Sequence, residues 1–240
     1  MICFLTSRTD VPGSEGLRLN GANGFVERLR RCFPEPCRAL DVCSDPDNWE
    51  TMDFYAAAVR TSFEREGFCF ERFRTLDGRN REQAASLVRD ANFLILSGGH
   101  VPTQNRFFAG IGLKELLLDF NGVLIGISAG SMNCAETVYA QPELPGEAAD
   151  PAYRRFLPGL GLTGRNVLPH YQEIKDDVLD GLRVMEDIAY PDSMGRDFLV
   201  LPDGSYLTIE NGREELCGLA WRLADGALTQ ICAEGRTLTL

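Results

Sequence analysis

The pentapeptide Gly126-Ile127-Ser128-Ala129-Gly130 has the G-x-S-x-G spacing of a nucleophile elbow, in which a strand turns abruptly into a helix and lifts one serine clear of the sheet. The aliphatic run 122–127 reads as that strand. Such a bend needs glycine on both sides, because a Cβ there would meet the neighbouring strand or helix. The same geometry sets a helix start beside the hydroxyl and offers the Ala129 N–H to a developing oxyanion. A serine nucleophile also needs a base to take its proton and an acid to orient that base. The chain has two histidines, His100 and His170. His170 ends the run Asn166-Val167-Leu168-Pro169, as a strand delivering its ring to a sheet edge would, or else it is a loop histidine bonded to backbone. His100 follows Ser97-Gly98-Gly99 and either lines a pocket or orients that loop. For the acid, spacing alone leaves Glu136, Glu143, Glu147 and Asp150 level, with Asp203 in a later turn.

Alternating elements must position these groups. Residues 2–7, 37–44, 68–75, 92–96 and 122–127 read as strands, and 24–32, 48–66, 79–89 and 103–118 as helices. That rhythm predicts an α/β fold with a doubly wound, mainly parallel sheet flanked by helices, whose catalytic groups collect at the carboxyl ends of the strands. Ser97-Gly98-Gly99-His100 and Ser128 both lie at such ends. Residues 140–158 hold several prolines and acids and read as a long irregular loop. Residues 175–189 show a helical apolar face of Val178, Leu182, Met185 and Ile188. From 198 to 240 the pattern is short antiparallel strands, with turns at Pro202-Asp203-Gly204, Glu210-Asn211-Gly212 and Ala224-Asp225-Gly226. No linker or repeat divides the chain, so residues 1–240 are expected to form one domain.

A net charge of −11 disfavours nucleic acid and anionic membrane surfaces as partners, since both call for a basic face. The eight cysteines include no C-x-x-C pair, and two histidines are too few for a histidine-based metal site. Cys3, Cys43, Cys69 and Cys217 sit in apolar, strand-like runs, where cysteine acts as a small hydrophobe. Reading 1–7 as a strand rather than a leader then predicts reduced thiols and a cytoplasmic protein.

Five segments stand in an order that resembles the dipeptidase E and cyanophycinase family of serine peptidases: Ser97-Gly98-Gly99, the elbow, Pro142-Glu143-Leu144-Pro145, Pro169-His170 and Leu201-Pro202-Asp203-Gly204. The resemblance covers nearly the whole chain. It implies a fold similar to class I glutamine amidotransferases, flavodoxin-like in its sheet, with serine in place of their elbow cysteine. It further implies Ser128 as nucleophile, His170 as general base and Glu143 as triad acid, with the N–H groups of Gly99 and Ala129 as oxyanion hole. Asp203 is the second candidate acid, and Gly98 and His100 would border the substrate pocket. The implied reaction is hydrolysis of a short peptide through an acyl-enzyme, without cofactor or metal, by a monomer or homodimer. The chain departs from these relatives at His100, where they usually carry asparagine, and in a longer segment between Glu143 and His170. It also lacks a basic stretch after His170, so an acidic substrate would have to draw its cation from Arg165, Lys175, Arg183 or Arg196. The competing readings are a catalytically silent binding module of the same fold and an esterase. The esterase is disfavoured because no histidine follows His170.

Overall fold

The computed structural model describes residues 1–14 and 18–240. Its largest element is an eight-stranded sheet. Strands β1 (Ile2–Thr6), β2 (Arg38–Val42), β3 (Arg72–Leu76), β4 (Phe93–Leu96) and β5 (Val123–Ile127) run parallel in the order β3-β2-β4-β5-β1. Beyond β1 the sheet continues antiparallel through Tyr206–Glu210, Arg213–Cys217 and Thr237–Thr239. All of Phe93-Leu94-Ile95-Leu96 is buried, as expected of a strand covered on both faces. Side chains alternate across the pleat, so Phe93 and Ile95 join Phe4 in one core while Leu94 and Leu96 join Leu5 in the other. Helix α1 (Phe25–Cys32) supplies Phe25 and Leu29 to the first core, together with Phe63 of α2 (Trp49–Arg65). Helices α3 (Ala84–Asp90) and α4 (Val101–Gly110) supply Leu87, Phe107 and Phe108 to the second. Strand β3 closes one edge, and its Arg72 and Arg74 place charge where an unpaired strand would otherwise invite association.

A second, four-stranded sheet lies downstream of the elbow. Asn166–Leu168 runs parallel to Asp197–Val200, which pairs antiparallel with Ala220–Ala224 and through it with Ala227–Cys232. This sheet has its own small core, where Tyr139 stacks on Phe198 with ring centroids 4.4 Å apart.

Several sequence expectations need correction. The helix expected at 175–189 is instead a short hairpin, Val178–Leu179 with Leu182–Arg183, followed by a wide helical turn over Val184–Ala189. Asp180 and Gly181 between the strands both have positive φ (53° and 82°), the signature of a tight primed turn that breaks any helix. The helix expected at 103–118 divides after Gly110, and a separate turn covers Leu113–Leu116. The Pro202-Asp203-Gly204 turn joins no hairpin: it carries the chain from Asp197–Val200 in the second sheet to Tyr206–Glu210 in the first. The loop over 140–158 ends in a strand, Phe156–Pro158, paired with Thr137–Tyr139. The eight cysteines are free thiols, but Cys69 is exposed rather than packed in a strand. Among the described residues no helix is long and apolar enough to cross a membrane.

Candidate active site

Ser128 follows β5 with φ 50° and ψ −113°, a conformation that costs a non-glycine residue on the order of 1–3 kcal/mol and holds only where the surroundings over-determine it. Here they do. The Thr6 carbonyl at the end of β1 accepts both the Ser128 N–H (3.0 Å) and the Ser131 hydroxyl (2.8 Å). A Cβ on Gly126 would lie 2.8 Å from the Ser131 backbone, and one on Gly130 would collide with the Leu96 carbonyl. The elbow helix is a single turn, Ala129–Met132. Its summed dipole is therefore small, and any oxyanion stabilisation falls to individual N–H groups.

Two parallel neighbours in the second sheet deliver the other groups. Leu168 and Val200 are register partners; His170 lies two residues beyond the first and Asp203 three beyond the second. His170 Nε2 stands 2.9 Å from Ser128 Oγ, and His170 Nδ1 stands 2.9 Å from Asp203 Oδ1. Burial alone would raise the Asp203 carboxyl, but hydrogen bonds from His170 and Ser7 outweigh it and hold the pKa down at about 2. Ser128 and His170 are half-buried, so the hydroxyl and ring remain within reach of solvent while the Asp203 carboxylate is nearly covered, its side chain 7% exposed. His170, Glu173 and Asp203 bring ligand atoms within 4.8 Å of one another, an arrangement that could suit a cation. Arg8 Nη1 already stands there, 3.7 Å from Asp203 Oδ2 and 3.9 Å from Glu173 Oε1, so a guanidinium supplies that positive charge.

Glu143 is placed differently. It lies on the exposed loop after Thr137–Tyr139, and the carboxylate hydrogen-bonded to His170 is that of Asp203. Crowding by surrounding protein and the nearby Glu147 push the Glu143 pKa up to about 7, against the pull of His170. Glu147 organises this loop: Oε2 accepts the N–H groups of Glu143 (2.9 Å) and Leu144 (3.0 Å), while Oε1 lies 2.8 Å from His100 Nε2. The other His100 nitrogen lies 2.8 Å from Thr103 Oγ1, so His100 ties the start of α4 to the Glu143 loop. Asp180, in the hairpin turn, secures the far side by accepting the Gly146 and Ala148 N–H groups. The cations considered for an acidic substrate are engaged elsewhere. Arg165 pairs with Glu214, Lys175 with Asp176 and Arg183 with Asp187, while Arg196 lies over the Phe156 ring.

The Gly98-Gly99 loop lies against the nucleophile, and a Cβ on Gly98 would sit 3.3 Å from Ser128 Cβ. Buried polar groups that the sequence reading missed anchor it. Ser97 Oγ donates to Asp41 (2.6 Å), Gln104 Nε2 donates to the Ser97 carbonyl (2.6 Å), and Asn133 Nδ2 bridges Gln104 (3.0 Å) and the Ala129 carbonyl (3.1 Å). Burial raises the Asp41 pKa to about 7, which the Ser97 hydroxyl only partly offsets. The available signal was polar residues at buried positions: Asp41 between Leu40 and Val42 in a strand, and Ser7 closing the run read as the first strand.

Comparison with known proteins supplies a family and a fold. Residues 46–217 match the sequence profile of peptidase family S51. No curated protein matches the chain. A solved structure of a Listeria monocytogenes EGD-e protein, provisionally named as a peptidase E, superposes with a TM-score of 0.58 at 16% identity over 96% of this chain and 98% of that one. At that identity the likeness speaks for the fold.

Proposed function

The chain belongs to peptidase family S51, and from that premise we propose that it hydrolyses short peptides by an acyl-enzyme route using Ser128, His170 and Asp203. Membership of that family marks it as a serine peptidase. The observation that carries the residue assignment is the unbroken relay from Ser128 Oγ through both His170 nitrogens to Asp203 Oδ1, with each contact at 2.9 Å. An ionised Asp203 can only accept, so His170 Nδ1 carries the hydrogen and Nε2 presents a lone pair to the serine. Ser128 Oγ then attacks the amide carbonyl as Nε2 takes its proton. The imidazolium is stabilised by Asp203 and protonates the leaving amine, and a water activated by the same nitrogen releases the acyl group.

The N–H groups of Gly99 and Ala129 are the proposed oxyanion donors, each worth about 2–4 kcal/mol in the transition state. Contact between the Gly98-Gly99 loop and Ser128 supports this, as does the network that pins Ser97. Gly98 and His100 border the pocket in the same reading. We also read the parallel core as the class I glutamine amidotransferase-like arrangement, supported by an elbow at the end of an interior strand of the order β3-β2-β4-β5-β1.

A fluorophosphonate probe tests the assignment. Ser128 is the expected point of attachment, and Ser128→Ala is expected to remove both labelling and peptide cleavage. A folded wild-type protein that takes no label and cleaves no short peptide would overturn it.

A further inference from the structure

Resting on that serine-peptidase reading, we propose that Ser7 is a positioning residue that locks His170 into the reactive tautomer and ties base and acid to the end of β1. Ser7 is fully buried and stands one residue beyond Thr6, whose carbonyl holds the elbow. Its Oγ donates to Asp203 Oδ1 at 2.8 Å and accepts the backbone N–H of His170 at 2.8 Å. A hydroxyl has one proton to give, and here that proton points at the carboxylate. Ser7 Oγ also lies 3.5 Å from His170 Nδ1, but with its hydrogen committed it cannot donate there. By donating to Asp203, Ser7 favours the ionised carboxylate, which can only accept, so the ring supplies the hydrogen between Nδ1 and Asp203 and Nε2 is left unprotonated and facing Ser128.

The backbone points the same way. His170 sits at φ 56° and ψ 36°, the left-handed region that non-glycine residues seldom occupy. The bond from its N–H to Ser7 fixes the chain at that bend, and with it the direction in which the ring leaves the backbone. Three segments distant in sequence, at residues 128, 170 and 203, thus take their relative positions from one strand end. Ser7 needs no contact with substrate to do this.

The test compares wild type with Ser7→Ala and with Ser7→Cys, which keeps nearly the same volume but is a weak donor. In a folded variant, kcat on a short peptide and the rate of fluorophosphonate labelling should fall together, on the order of 10–100-fold, with KM changed less than about twofold. Nitrogen NMR of protein labelled at histidine gives the second readout. The His170 signals should report an Nδ1–H tautomer in wild type and a tautomer mixture in the variants. Wild-type kcat in a folded variant would overturn the proposal. So would lost kcat with unchanged His170 signals, which would reduce Ser7 to a packing role. If Ser7→Ala does not fold, Ser7→Cys is read by the same criteria, and an Nε2–H tautomer in wild type refutes the proposal without any variant. If wild type takes no label, the peptidase reading fails, while the NMR comparison still judges the hold of Ser7 on the ring.

Discussion

Two carboxylates near His170 are held in contrasting ways. Asp203 leaves a strand, is nearly covered by protein, and receives hydrogen bonds from both His170 and Ser7. Glu143 rides an exposed loop whose shape depends on Glu147, His100 and Asp180. Their proton affinities differ too: hydrogen bonds hold the first near 2, while crowding by protein and the charge of Glu147 raise the second to about 7. Orientation of a catalytic base demands an anion in one place in every molecule, and strand ends in a hydrogen-bonded sheet provide that. A loop fastened by side chains can change length and chemistry without disturbing the sheet, so it is the natural place to tune which peptide is accepted.

The largest expected difference sets these two acids against each other. Asp203→Asn removes the acceptor that fixes the tautomer and should lower kcat on the order of 10⁴-fold, whereas Glu143→Gln should cost less than about tenfold. Steady-state kinetics on a short peptide decides it, and the reverse ranking would move the acid's role to the loop. A second test concerns the stiffness of the strand-end region. Gly130→Ala drives a methyl into the Leu96 carbonyl and should destabilise the fold by about 3 kcal/mol, read from urea unfolding; a neutral result would show that the elbow relaxes.

On the loop side, His100→Ala cuts the link between α4 and Glu147. It should raise KM several-fold while kcat stays within about twofold, and an equal loss in kcat would place His100 in the chemistry itself. The smallest effect is a pH slope. With its pKa raised from 4.5 to about 7, Glu143 keeps in the folded protein a proton that the unfolded chain releases at lower pH. Its contribution to stability therefore falls as pH rises through that window. Glu143→Gln should flatten that part of the melting temperature against pH, and an unchanged profile would show that Glu143 is fully solvated.

Legibility in the sequence followed the range of the interactions involved. The elbow could be read because its demands are local: glycines at fixed offsets around one serine after an aliphatic run. The parallel strands could be read from apolar runs between helical segments, and the two later turns, Asn211-Gly212 and Asp225-Gly226, from residues that tolerate positive φ. The helix expected at 175–189 misled because Val178, Leu182 and Met185 recur at helical spacing, while the Asp180-Gly181 pair that overrides them acts through backbone conformation. The family resemblance drew attention to Glu143, which spacing alone left level with its neighbours, but the hydrogen bond to His170 depends on which strand lies beside Asn166–Leu168.

By itself the sequence determined the nucleophile candidate, the small choice of histidines and the α/β character, since these rest on residue type and short-range periodicity. Only the tertiary structure decided that Asp203 meets His170, that Ser7 joins them, and that Arg8 stands where a cation could have been drawn. Those are contacts between segments more than thirty residues apart in the chain, set by sheet register and burial, and no local pattern encodes which of several similar carboxylates the fold brings to the ring.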